Sequence, residues 1–192
     1  WYQVGSYDDP QGASGFAHLF EHLMFMGTTA IPNKDFDIRM EVVGGWNNAS
    51  TGDDRTNYYD VGPSEIADLL VYMEADRMVN LDITQNKLDL QREVVRNERR
   101  QNYEDAPYGK VWLEMPEMLY PESHPYHFEG IGSHEDLLAA TLDTVNKFYQ
   151  DWYSPSNATL CVAGDFDSTH MKETIAKYYG TIKNKTAQAH QS

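Results

Sequence analysis

Cysteine is almost absent from this chain. Cys161 stands alone among 192 residues, so no internal disulfide can hold the fold and a core must do so. Long apolar runs are missing as well: nothing approaches the roughly 20 residues of a bilayer span, and no signal-peptide pattern stands within these 192 residues. Basic residues are scarce. There are 15 of them against 30 acidic ones, for a formal net charge of −15, which argues against nucleic acid or an anionic membrane as the main partner. The sequence has no Walker loop, dinucleotide fingerprint or Ser-His-Asp signature, and no internal repeat or low-complexity segment. It does have 13 tyrosines and 4 tryptophans, enough for a sizeable, partly polar core. The length suits one good-sized domain. Trp1-Tyr2-Gln3-Val4-Gly5 opens the chain like the second half of a strand, so we expect a piece of a longer protein whose first strand is missing.

Periodicity and turn chemistry predict the elements. Trp1 to Ser6 is a strand and residues 15 to 26 a helix. A second helix starts at Ile31-Pro32-Asn33, with Asn33 as its cap, and ends at Gly44-Gly45. Trp46 to Thr51 and Arg55 to Val61 are strands joined at Gly52-Asp53-Asp54, a hairpin signal. A helix follows from Pro63-Ser64 to about Val79. A highly charged helix spans 85 to about 104, with Leu88, Val94 and Val95 as its apolar anchors. Further helices run to Leu119, through 133–153 as one short and one longer piece, and over 168–179. Ala158 to Ala163 reads as an apolar strand that places Cys161 in the core. These elements predict an α+β fold with two layers, helices packed on one face of a mainly antiparallel sheet. Residues 1–182 form the single domain and 183–192 a polar tail.

The richest stretch is Gly15-Phe16-Ala17-His18-Leu19-Phe20-Glu21-His22-Leu23-Met24-Phe25-Met26-Gly27. Helical spacing puts His18 and His22 one turn apart on one face, with Glu21 beside them. Two imidazoles at i and i+4 can grip one zinc ion. A glutamate between them cannot easily reach the same ion, but it can reach a water there, where a general base is needed. This is the H-x-x-E-H order. Apolar neighbours surround the trio, so the helix is expected to be buried, and buried ionisable groups need a partner or a metal.

A catalytic zinc usually has three protein ligands and a water, so a third must come from elsewhere. In the helix around Gln91-Arg92-Glu93-Val94-Val95-Arg96-Asn97-Glu98, Glu98 shares a face with Gln91, Val94 and Val95, and Glu93 points away. Glu98 is therefore the ligand candidate; its alternative is an ion pair with Arg92 or a neighbouring arginine. His124, His127 and His134 are irregularly spaced and make a weak second candidate for metal. A structural zinc would want four protein ligands, and only three are apparent.

The H-x-x-E-H helix, followed about 75 residues later by Arg92-Glu93-Val94-Val95 and Glu98, resembles the pitrilysin/insulinase family of zinc metallopeptidases, which includes the mitochondrial processing peptidase. Asn48-Ala49-Ser50-Thr51 and Thr56-Asn57-Tyr58-Tyr59 resemble its active-site hairpin. His124-Pro125-Tyr126, Ile131-Gly132 and Tyr153-Ser154-Pro155-Ser156-Asn157-Ala158 resemble later landmarks, and several stretches are closest to bacterial members. The resemblance implies one Zn2+ held by His18, His22 and Glu98, and Glu21 as the base that activates its water. It also implies that peptide backbone adds to the strand carrying Asn48 and Ala49. Where the family often has an acidic residue seven positions before the ligand glutamate, this chain has Gln91, which can hydrogen-bond around the site but supplies no charge. The implied activity is a zinc endopeptidase acting on peptides or unfolded polypeptides, paired with a homologous C-terminal domain or subunit, in the bacterial periplasm. The competing reading is a non-catalytic member, or a zinc-binding half that needs its partner domain.

Overall fold

The computed structural model describes residues 1–32 and 35–184. Its elements are helices α1 (Phe16–Met24) and α2 (Asp35–Val42), strands β1 (Trp46–Thr51) and β2 (Thr56–Val61), then helices α3 (Ala67–Asn80), α4 (Gln85–Arg99), α5 (Lys110–Leu119), α6 (His134–Ala139), α7 (Leu142–Trp152) and α8 (Ser168–Tyr179). Beyond Arg99, α4 continues through Arg100–Glu104 in wider π turns, which completes the helix expected over 85–104. The Asn33 cap, and all of the polar tail after residue 184, lie outside the described residues.

The fold is α+β with an antiparallel sheet, as the element pattern predicts. The sheet is small. It consists of the β1–β2 hairpin, in register from Trp46 opposite Val61 to Thr51 opposite Thr56, and of single bridges from Tyr2 to Thr56 and to Ala158. The expected strands at 1–6 and 158–163 therefore shrink to one bridged residue each. Thr159 N donates to Trp1 O at 2.8 Å, and residues 160–163 lie past the reach of that segment. Leu160 and Cys161 are exposed rather than in the core, which corrects the expected placement of Cys161. Arg55 stiffens the hairpin turn: its Nη1 donates to Ser50 O at 2.7 Å and to Asn57 Oδ1 at 2.8 Å.

The main core forms where α1, α4 and α7 meet the hairpin. Phe16, Leu19, Phe20, Leu23 and Met24 of α1 are buried against Leu88 and Val95 of α4 and Val145, Phe148 and Tyr149 of α7. Each such side chain contributes about 1.5–3 kcal/mol when removed from water. Val94, expected as an anchor, is 40 % exposed; Val95 and Leu88 carry that face. Phe20 packs on Tyr153 with centroids 4.4 Å apart, and the Tyr153 and Tyr58 hydroxyls lie 3.0 Å apart. A smaller cluster of Ile31, Phe36, Met40 and Met73 joins α2 to α3.

Between these clusters Arg77 is buried, at 3 % exposure. It is forked against Glu74 and faces the rings of Tyr58, Phe36 and Phe25 at 4.6, 5.0 and 5.4 Å, an arrangement suited to a planar cation. Asp60 stands close to the same charges, and its Oδ1 is buried without a hydrogen-bond partner among the described residues. Burial first, and then Glu74, raise its carboxyl to about 8, against the pull of Arg77. The folded chain thus keeps a proton there that the unfolded chain releases near pH 4, so this contribution to stability is complete below about pH 4 and is lost as pH rises towards 8. Urea unfolding should show Asp60→Asn gaining on the wild type at pH 8, with the gain shrinking towards pH 4. A pH-independent difference would contradict this.

Candidate metal centre

Two glycines set the start of α1. Gly15 has φ of +84° and Gly132 of +75°, a region that L side chains rarely adopt. The two backbones also touch: a Cβ on Gly15 would meet Gly132 Cα at 2.7 Å. Polar braces surround this contact. Ser14 Oγ donates to Asp136 Oδ2 at 2.6 Å and accepts from Ser133 N at 3.0 Å. Asp9 supplies the cap that Gly15 lacks, its carboxylate accepting from Gly15 N at 2.7 Å and Ala17 N at 2.8 Å. These are orphan donors of the first helical turn.

With α1 fixed in this way, its one polar face looks at α4. Glu98 Oε2 lies 3.3 Å from His22 Nε2 and 3.8 Å from His18 Nε2. The His18 and His22 rings are 4.8 Å apart and nearly perpendicular. The three donor atoms fall within 4.8 Å of one another, the one such group among the described residues. Ligands of a tetrahedral zinc at about 2.0–2.1 Å stand about 3.3–3.5 Å from each other; the two distances to Glu98 approach that spacing, and two imidazoles with one carboxylate are a donor set suited to a single zinc ion. Burial first, and then His22, lower the His18 pKa to about 4, against Glu98; the ring is thereby kept neutral, as a metal ligand must be. Its Nδ1 is buried without a hydrogen-bond partner among the described residues. The hydrogen bond with His22 holds the Glu98 carboxyl below its ordinary value. The arginines that competed for Glu98 are engaged elsewhere: Arg92 with Asp89, Arg96 with Glu93 and Arg99 with Glu104.

Glu21 sits beside this group and accepts a hydrogen bond from the Thr51 hydroxyl at the end of β1. Burial raises its pKa, against that hydrogen bond. Strand β1 has an open edge. Thr56 exchanges backbone hydrogen bonds with Tyr2, so Thr51 opposite it forms a non-hydrogen-bonded pair and turns its own N–H and C=O outwards. Ala49, two residues back, does the same. Among the described residues its N–H is met by its neighbour's side chain, Asn48 Oδ1, at 2.8 Å. Gln91 Nε2 donates to Met26 Sδ at 2.8 Å and ties α4 to the residues just after α1. A cavity of about 250 Å³ opens next to His18 and Glu98, walled by Ser6, Asp53, Tyr103 and Glu129.

The other histidines among the described residues have local roles. His124 stacks on Tyr120 and its Nδ1 accepts from Tyr126 N; His127 Nδ1 meets Tyr120 O; His134 pairs with Glu104 at 3.1 Å. His170 is exposed and pairs with Asp68. Sequence reasoning missed Asp9 and Thr51 as supports of the centre. Asp9 read as part of a turn, and no local pattern marks an aspartate seven residues ahead of a helix as its cap.

Comparison with known proteins gives the family. The family described as Insulinase (Peptidase family M16) matches residues 1–118, and the description Peptidase M16 inactive domain matches residues 139–192. The chain belongs to the insulinase (M16) peptidase family. It is 33 % identical over 188 residues to the zinc protease PqqE of Helicobacter pylori, covering 98 % of this chain and 42 % of that one. The crystal structure of a protease from Helicobacter pylori superposes with a TM-score of 0.93 at 32 % identity, covering all of this chain and 46 % of that one. The periplasmic protease PqqL of Escherichia coli gives a TM-score of 0.84 at 25 % identity, over 98 % and 21 % of the two chains. This chain thus spans less than half the length of these relatives. Among its described residues no helix is long and apolar enough to cross a membrane.

The Asp9 cap gives a direct test. Asp9→Ala should lower folding stability by about 1–2 kcal/mol and weaken zinc retention in equilibrium dialysis, although Asp9 touches none of the three donors. Unchanged stability would remove Asp9 from the account of how α1 is held.

Proposed function

We propose that this chain is the zinc-binding half of an endopeptidase that hydrolyses peptide bonds in peptides or unfolded polypeptides. The observation that carries the reading is the convergence of His18, His22 and Glu98 on one point, with Glu21 and the open edge of β1 beside it. His18, His22 and Glu98 are the proposed ligands; the relatives' names as zinc proteases support the choice of metal. A zinc ion bound there supplies Lewis acidity to the scissile carbonyl and to the attacking water.

Every other task falls to the chain. The open edge of β1 takes the substrate backbone as an added strand, and Asn48 Oδ1 must release the Ala49 N–H for this to happen. Glu21 removes the proton of the attacking water and returns it to the leaving amine; its burial, which raises its hold on a proton, suits both halves of that task. Gln91, in place of a charge, braces α4 against the end of α1 through Met26. The homologous remainder of the protein closes over the substrate, a reading supported by the small share of each relative that this chain covers. The name of the Escherichia coli relative supports a periplasmic setting, which cell fractionation tests. A non-catalytic role is disfavoured because all four of His18, Glu21, His22 and Glu98 are present.

The test uses the full-length protein, plasma emission for zinc and an unstructured peptide as substrate. Glu98→Ala should lose most of its zinc. Glu21→Gln should keep about one zinc per chain and lose turnover by about 10²–10⁴-fold, the typical worth of positioned proton transfer. Full activity in Glu21→Gln, or unchanged zinc in Glu98→Ala, would defeat the corresponding assignment.

A further inference from the structure

We infer that Thr51 is a positioning residue that divides the labour between the two carboxylate oxygens of Glu21, holding Oε2 and leaving Oε1 to take the proton. The inference rests on the reading of Glu21 as the base. It starts from a hydrogen bond whose direction is fixed. Thr51 Oγ1 donates to Glu21 Oε2, and a hydroxyl has one proton to give. The nearest other hydroxyl, Thr56 Oγ1, lies 3.5 Å away, is fully buried and donates its own proton to Val4 O at 2.9 Å. Among the described residues no other side chain hydrogen-bonds the Glu21 carboxylate. Arg55 is near enough to influence it, but the hydrogen bonds it makes run from Nη1 to Ser50 and Asn57.

The donor is also stiff. Threonine is β-branched and restricted at χ1, and Thr51 closes the hairpin ladder opposite Thr56, next to the Gly52 N to Arg55 O bond of 2.8 Å. The terminal torsion of a glutamate is broad and nearly two-fold, so without a fixed donor the two oxygens would exchange places. With Oε2 tied down, Oε1 keeps one bearing. Thr51 turns its backbone to the same open edge that would seat a peptide, so one residue links the seat of the substrate strand to the bearing of the base.

The test has a kinetic arm and a folding arm, both on the full-length protein. Thr51→Val removes the hydroxyl and keeps the shape; kcat should fall about 10- to 100-fold with KM within about twofold and zinc content unchanged, the scale of a hydrogen bond to a charged group. Thr51→Ser, which keeps the hydroxyl, should recover most of that loss. In the folding arm, a cycle of Thr51→Val, Glu21→Ala and the double variant should show coupling of about tenfold or more in the unfolding constant. Wild-type kcat in Thr51→Val, failure of Thr51→Ser to restore it, or additive folding effects would each overturn the inference. A wild type that cleaves no peptide would instead defeat the proteolytic reading, and this division of labour with it.

Discussion

The burial of α1 is the constraint on which the rest depends. Phe16, Ala17, Leu19, Phe20, Leu23 and Met24 commit six of its nine residues to the core, and that commitment leaves one orientation for the remaining polar face. His18, Glu21 and His22 are therefore delivered into a partly desolvated gap whether or not anything there suits them. Desolvation is costly for charge. The structure meets the cost with a neutral His18, a Glu98 carboxylate shared between two imidazoles, and a Glu21 held by a hydroxyl. A divalent cation would resolve the remaining tension, since it favours neutral imidazoles and an ionised carboxylate together.

The core alone does not set α1 to the fraction of an ångström that such a centre needs. Long-range polar contacts do that. Asp9 caps the helix from outside it, Ser14 is bonded to Asp136 across more than a hundred residues, and Gly15 lies backbone to backbone with Gly132. On the far side Gln91 and Met26 join the two helices that carry the donors. These links are the outer supports that hold donor geometry in metal sites generally. The hairpin enters the same system at its end, where Thr51 meets Glu21.

Much of this was legible in the sequence where the physics is local. The H-x-x-E-H spacing specifies a helix face by itself. The face arithmetic that preferred Glu98 to Glu93 depends only on helix geometry, and the two carboxylates are found on those sides: Glu98 by the histidines, Glu93 outside with Arg96. The hairpin was legible from its alternation and turn residues. What was not legible depends on contacts between distant segments. Val94 and Val95 look equally apolar, and only the angle at which α1 crosses α4 decides which is buried. Residues 158–163 have strand composition, but a strand exists only with a neighbour to pair with, and past Thr159 the described chain offers none. The roles of Asp9 and Thr51 come from partners 8 and 30 positions away, separations that no periodic pattern records.

We propose that α1 and α4 are held at the spacing of one zinc ion, gripped by two imidazoles and one carboxylate. Zinc-edge X-ray absorption on the stoichiometrically loaded protein tests it most directly. The account predicts a first shell of nitrogen and oxygen only, at about 2.0–2.2 Å, with outer-shell scattering from two imidazole rings. A sulfur in the first shell, or scattering from none or one imidazole, would contradict it.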